Sequence, residues 1–180
     1  MKKHIKQSLA ASFIFFLLSF HLPALGAGIQ LGGIPGLFIN QDQVKVENIT
    51  ANLSGSFRME RLPVTLGSGL EFGKLFSDFN YGFSLFADYR AIDLQIQNTC
   101  SFYSGFGASI KVLTTDFSEW SLAAGSRFFA GCNWLFYDGY LELYLQQNIV
   151  PTYLKDLNSS ETEAGFILCL PLEAGIRMHF

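Results

Sequence analysis

Few side chains in this sequence are suited to covalent or acid–base chemistry. General acid–base work near neutral pH draws first on histidine, and the chain has three, His4, His21 and His179. The first two fall in an N-terminal stretch that reads as removable, which leaves His179 beside the last residue. No Gly-x-Ser-x-Gly or His-Glu-x-x-His pattern occurs, so the usual serine-hydrolase and zinc-protease constellations are missing. Cys100, Cys132 and Cys169 lack ligand spacing, and a single histidine does not complete a usual metal set. Gly67, Gly69, Gly105 and Gly107 sit in alternating segments with no helix behind them. They relieve crowding or bend strands rather than cradle phosphate. The expectation is no catalytic residue, no metal site and no cofactor.

The other ionisable residues form a pattern. Arg58, Arg90, Lys111, Arg127 and Arg177, with Glu71, Asp88, Glu119, Glu142 and Glu173, share the polar face of alternating segments. Five cations against five anions make that face neutral. Enclosed charges must pair, so the set reads as an internal charge network that fills a space.

Only strands can position such a set, because period two sends alternate residues to opposite faces. The first segment opposes Ile29, Leu31, Leu37 and Ile39 to Gln30, Gly32 and Asn40. The next, about Val44 to Arg58, sets Ile49, Ala51, Leu53 and Phe57 against Asn48, Thr50, Asn52, Ser54, Ser56 and Arg58. Val44 and Val46 are out of phase with it, which predicts a bulge near Glu47. Val64 to Phe72 and Phe79 to Tyr89 alternate in turn, and the boundary after them falls near Arg90 or near Asn98. Phe102 to Val112, Trp120 to Phe136, Leu141 to Ile149 and Phe166 to Phe180 bring the count to eight. Tyr137-Asp138-Gly139 is a tight-turn signal.

Composition agrees with a barrel. Lys2, Lys3 and Lys6, an apolar run from Leu9 to Phe20, and Ala24-Leu25-Gly26-Ala27 read as a secretory signal peptide over residues 1–26, cleaved after Gly26 or Ala27. Its loss leaves residues 27–180 as one domain with nine basic and fifteen acidic residues, net −6. That balance argues against nucleic acid as a partner. The hydrophobic residues are dispersed at alternate positions, the weak per-segment signature of a transmembrane barrel rather than of helical spans.

Period two does not say which face points inward. A soluble lipocalin-like barrel encloses its apolar face around a ligand, whereas a membrane barrel turns it to lipid. The ten charges favour the membrane arrangement, since a basic side chain facing lipid at mid-bilayer costs about 2–4 kcal/mol. Trp120, Trp134, Phe79, Tyr81, Tyr89, Phe102 and Phe136 lie near strand ends on the apolar face, as interfacial girdles do.

The last segment alternates through Ala174, Ile176 and Met178 and stops on Phe180, with Glu173, Arg177 and His179 between. Taken with the leader and the eight alternating segments, the chain resembles the small outer-membrane β-barrels of the OmpA, OmpX and OmpW type. The resemblance implies an all-β, eight-stranded antiparallel up-and-down barrel in the outer membrane, with both termini periplasmic. It further implies surrounding outer-membrane lipids as partners and assembly by the outer-membrane insertion machinery, with Ala174, Ile176, Met178 and Phe180 as the terminal signal. The apparent external loops, Gln41 to Gln43, Lys74 to Asp78, Thr114 to Ser118 and Lys155 to Thr162, are short, which weakens an adhesin reading. Resemblance to the OmpW type suggests a narrow permeability or carrier barrel for a small apolar solute. The alternative is a non-transporting envelope-integrity or surface-interaction barrel.

Register adds one expectation. With the hairpin centred on Asp116, opposite positions sum to 232, as Cys100 and Cys132 do. The two could then form a disulfide across neighbouring strands in an oxidising compartment, with Cys169, on the charged parity, left free. A turn centred one residue away would separate them.

Membrane integration is directly measurable. The protein should leave membranes only with detergent and migrate differently on gels before and after boiling. Solubility in plain buffer as a compact monomer would support the lipocalin-like alternative.

Overall fold

A computed structural model describes residues 25–40, 43–59, 62–75, 78–117, 119–157 and 164–180. The leader expected over residues 1–26 lies outside them, except for Leu25 and Gly26, which open the first strand. So do Gln41 and Asp42 and the loop at 158–163.

Among the described residues the chain forms β1 (Leu25–Asn40), β2 (Gln43–Met59), β3 (Val64–Leu75), β4 (Asp78–Gln97), β5 (Cys100–Thr114), β6 (Trp120–Phe136), β7 (Leu141–Asp156), β8 (Ala164–Cys169) and β9 (Leu172–His179). From β1 to β8 each strand pairs antiparallel with the next. β8 and β9 are two halves of one stave, broken at Leu170-Pro171, and both halves pair with β7 on one side and β1 on the other. The sheet therefore closes into an eight-stave barrel.

The register sets its size. From Gly28, partners run through Ser56, Gly67, Phe86, Ser109, Gly125, Thr152 and Ile167 and return to β1 at Phe38, ten residues further along. A stagger of ten over eight staves tilts the strands by about 40° and gives a wall radius of about 8 Å. That bore is just wide enough to be filled by side chains.

Burial settles which face is inside. Ile29, Leu31, Ile110 and Phe128 are 66, 65, 55 and 52 % exposed, whereas Glu142, Glu173, Arg177 and Asn148 are 0, 1, 3 and 0 % exposed. Polar residues fill the interior and the apolar face points out. The lipocalin-like alternative requires the reverse and is corrected here. At one rim Tyr81 contacts Phe79 and Phe117, and Phe117 meets Trp120. At the other Phe180 packs edge-on against Tyr140 at 5.9 Å.

Local sequence explains the irregular points. Gly36 pairs with Asn48 and Leu37 with Val46, so Glu47 is the residue the ladder skips. Tyr137 and Asp138 take φ of 53° and 56°, a left-handed pair followed by Gly139 at 90°. That backbone twist suits a tight antiparallel hairpin. Inside the wall a Cβ at Gly67 would overlap the Phe86 ring, so the small residue opens space for a large neighbour on β4. The turn left open between Arg90 and Asn98 falls at Asn98 and Thr99.

Two expectations fail for one reason. The hairpin between β5 and β6 centres on Phe117 rather than Asp116, because Phe117 adopts φ of 63°, its amide donates to Thr114 Oγ1 at 2.9 Å, and the Glu119 amide donates to Asp116 Oδ1 at 3.2 Å. Left-handed φ in an aromatic residue has no simple sequence signal. Cys100 consequently faces Trp134 while Cys132 faces Phe102, and all three cysteines are free. Glu119 stays in the exposed loop, outside the barrel interior. Mass spectrometry of unreduced protein after denaturation in alkylating reagent should show three modified thiols; one modified thiol would restore the Cys100–Cys132 pair.

Candidate functional site: the filled lumen

The interior is built in tiers along the barrel axis. At the end near the termini, Glu142 on β7 is wholly buried. Its Oε1 accepts from Asn133 Nδ2 at 2.9 Å, Arg90 Nη2 at 3.1 Å and Arg58 Nη1 at 3.4 Å. Its Oε2 accepts from Arg177 Nη1 at 2.9 Å and lies 2.8 Å from His179 Nε2. Five side chains from four staves converge on one carboxylate, and its buried charge is compensated several times over. The flat guanidinium of Arg90 stacks 3.7 Å from the Tyr103 ring centre, and that of Arg177 lies 4.7 Å from Tyr144.

At mid-barrel Arg127 is the hub. Its Nε and Nη2 donate to Asp88 Oδ1 and Oδ2 at 2.9 and 3.2 Å, a two-pronged pair. Nη2 also reaches Asn148 Oδ1 at 3.2 Å and Glu173 Oε2 at 3.3 Å. The Phe86 ring covers the guanidinium 4.6 Å away. With the hub's staves only about 16 Å apart across the bore, these side chains close it. Further along, Lys111 Nζ sits 2.8 and 2.9 Å from the two oxygens of Glu71.

Beyond that pair, at the end opposite the termini, the chemistry changes. Ile34, Leu113, Ala123, Leu154, Ile167 and Cys169 line a small half-open vestibule of about 40 Å³, with Lys111 and Glu71 at its base. A second gap of only about 10 Å³ lies between this base and Arg127, touching Ile34, Phe86, Pro171 and Glu173.

Of the ten charges expected inside, Arg58, Glu71, Asp88, Arg90, Lys111, Arg127, Glu142, Glu173 and Arg177 lie in these tiers, and Glu119 does not. Asp93, exposed at the rim near the termini, joins the network instead, 3.5 Å from both Arg58 and Arg90. A bulge between Arg90 and Ile92 flips the strand's parity and turns Asp93 inward. The signal was present in the sequence, since Tyr89 and Ile92 are both apolar but of opposite parity. His179, considered as a base, is held against Glu142 in the tier described. Ala174, Ile176, Met178 and Phe180 line up on the outer face of β9 and the chain end, where the last three are 44, 44 and 68 % exposed. Sequence reasoning passed over Tyr103, Tyr144, Asn133 and Asn148, uncharged residues on the inward parity that complete the tiers.

No family model and no curated protein matches the sequence. Solved structures do match by shape. The crystal structure of Neisserial surface protein A superposes with a TM-score of 0.54 at 14 % identity, over 88 % of this chain and 99 % of that one. The fold is that of the small eight-stranded outer-membrane barrels. The attachment invasion locus protein Ail of Yersinia pestis (TM-score 0.42, 12 % identity, 86 % and 98 % covered) and the N-terminal barrel domain of Pseudomonas aeruginosa OprF (0.43, 10 %, 85 % and 97 %) also match. In this barrel fold, the paired interior and the apolar exterior are the two halves of one solvation requirement.

Breaking a buried pair by removing one partner leaves an uncompensated charge and costs about 3–5 kcal/mol. Arg127→Met should therefore lower the urea midpoint of refolding into detergent sharply, and adding Asp88→Asn and Glu173→Gln should recover much of the loss. A single substitution that leaves the midpoint unchanged would show that Arg127 does not hold the mid-barrel tier.

Proposed function

We propose that the protein is an integral outer-membrane barrel that receives a small apolar solute in its vestibule and conducts no ions through its lumen. One observation carries this reading: an apolar chamber at one end of a bore that Arg127 and its partners otherwise fill. A chamber lined by Ile34, Leu113, Ala123, Leu154 and Ile167 gains from burying apolar surface. The Lys111–Glu71 pair at its base offers a polar contact that orients one end of the solute. Export through a leader and insertion with Phe180 as part of the terminal signal belong to the same proposal, and with that orientation the vestibule opens to the outside.

The filled bore also favours a second reading, a barrel that serves envelope integrity without carrying anything. Binding separates the two. Purified barrel should bind an apolar naphthylamine fluorophore saturably at one site, and Ala123→Phe, which fills the chamber from β6, should weaken that binding at least ten-fold. Planar bilayers should show no stepwise conductance. Non-saturable partitioning of the fluorophore, unaltered by Ala123→Phe, would leave the non-transporting reading, and stepwise conductance would overturn the filled-bore account.

A further inference from the structure

The two most deeply buried carboxylates of the lumen are compensated very unequally. Glu142 meets five side chains, with Asn133, Arg177 and His179 at 2.9, 2.9 and 2.8 Å. Glu173, only 1 % exposed, meets two among the described residues, and both are distant: Arg127 Nη2 lies 3.3 Å from Oε2 and Asn52 Nδ2 lies 3.5 Å from Oε1. Charge-assisted bonds to a carboxylate ordinarily run about 2.7–2.9 Å. Arg127 has no more to give, because the two N–H groups of Nη2 already face three acceptors, Asp88, Asn148 and Glu173.

The charges around Glu173 do not balance either. Glu71, Asp88 and Glu173 face Lys111 and Arg127, with Lys111 on both oxygens of Glu71 and Arg127 gripping Asp88 with two nitrogens. One negative charge is left over at mid-barrel among the described residues. The matching cation belongs to the tier near the termini, where Arg58, Arg90 and Arg177 are bonded to Glu142 and Asp93. A buried carboxylate without a full counter-charge is costly.

Beside Glu173 lies the gap of about 10 Å³, enough for one water-sized particle. Asn52 on β2 and Ser109 on β5 line it, 7 and 4 % exposed, and Asn52 Oδ1 and Ser109 Oγ have no hydrogen-bond partner among the described residues. The Asn52 amide cannot be turned over to hide its oxygen, since that would set oxygen against the Glu173 carboxylate. The register places Gly32 between these two residues, where a Cβ would strike Asn52 Oδ1 and crowd Glu173. Orphan acceptors, an under-compensated carboxylate and room for one particle together describe a cation site. Oxygen donors suit a hard ion. The deficit of a single charge suits a monovalent one, because a divalent ion beside Lys111 and Arg127 would reverse the imbalance. Of the alkali ions, potassium is closest to water in size.

We propose that this gap binds one dehydrated, potassium-sized monovalent cation on Glu173, Asn52 Oδ1 and the Ser109 hydroxyl. The ion joins β2 and β5 to β9, strands from both ends of the chain, so its binding favours the closed barrel. This site stands apart from the vestibule reading and does not depend on it.

A salt whose cation is too large for the gap provides the control. The protein would be unfolded in urea and refolded into detergent in potassium chloride or in N-methyl-D-glucamine chloride at equal ionic strength. The midpoint should be higher in potassium and should rise saturably with its concentration. Glu173→Gln, which keeps the shape and drops the charge, should abolish the difference between the salts, and Asn52→Leu should raise the potassium concentration for half effect at least ten-fold. Crystals of the unaltered protein grown with thallium(I), a potassium substitute that scatters anomalously, should give a peak between Glu173 and Asn52, whether or not the variants fold. Equal midpoints in the two salts, a difference that survives Glu173→Gln, or a gap without thallium would overturn the site and leave a proton or a water beside Glu173.

Discussion

The structure depends on the arginine at its centre. Arg127 lies about midway along a bore too narrow for bulk water, and its charge is tolerable only because Asp88, Glu173 and Asn148 come from three other staves to meet it. Each partner is positioned by the register of a different hairpin. A slip of one residue in any of them would turn an ionised group toward hydrocarbon, at a cost of several kcal/mol. The paired interior therefore specifies the closure as much as the closure shelters the pairs.

Asn148 links this centre to the wall. Its side-chain oxygen accepts from Arg127 and from Gln146 Nε2 at 2.8 Å, while its backbone amide and Nδ2 both donate to Pro171 O, the latter at 3.3 Å. The mid-barrel plug and the broken eighth stave thus share one wholly buried residue. Glu173 on β9 is a second link between them, accepting from Arg127 Nη2 at 3.3 Å.

The two ends of the lumen differ in kind. Near the termini, Arg58, Arg90, Arg177 and His179 surround Glu142, and aromatic rings cover the guanidinium planes. At the other end the charged supply is limited to Lys111 and Glu71, and aliphatic side chains take over. A dense ionic plug excludes a small apolar molecule, because desolvating such charges gains nothing from apolar contact. An aliphatic chamber has the opposite preference. The asymmetry gives the barrel an aliphatic end and an ionic end.

Much of this was determined by the sequence alone, because period-two alternation is a local property that survives without knowledge of partners. It specified eight staves, two chemically distinct faces, the Glu47 bulge, the Tyr137–Gly139 turn and nine of the charges now found inside. Tertiary structure decided what depends on counting across turns. A left-handed Phe117 moved one hairpin centre by one residue, separating Cys100 from Cys132 and leaving Glu119 in solvent. A bulge after Arg90 turned Asp93 inward. Register errors of one residue are invisible to a periodic pattern, yet they reverse a side chain's direction. The vestibule lay further still from view, because Ile34, Leu113, Ala123, Leu154 and Ile167 are remote from one another in sequence. Only closure of the last stave onto the first brings them to one place.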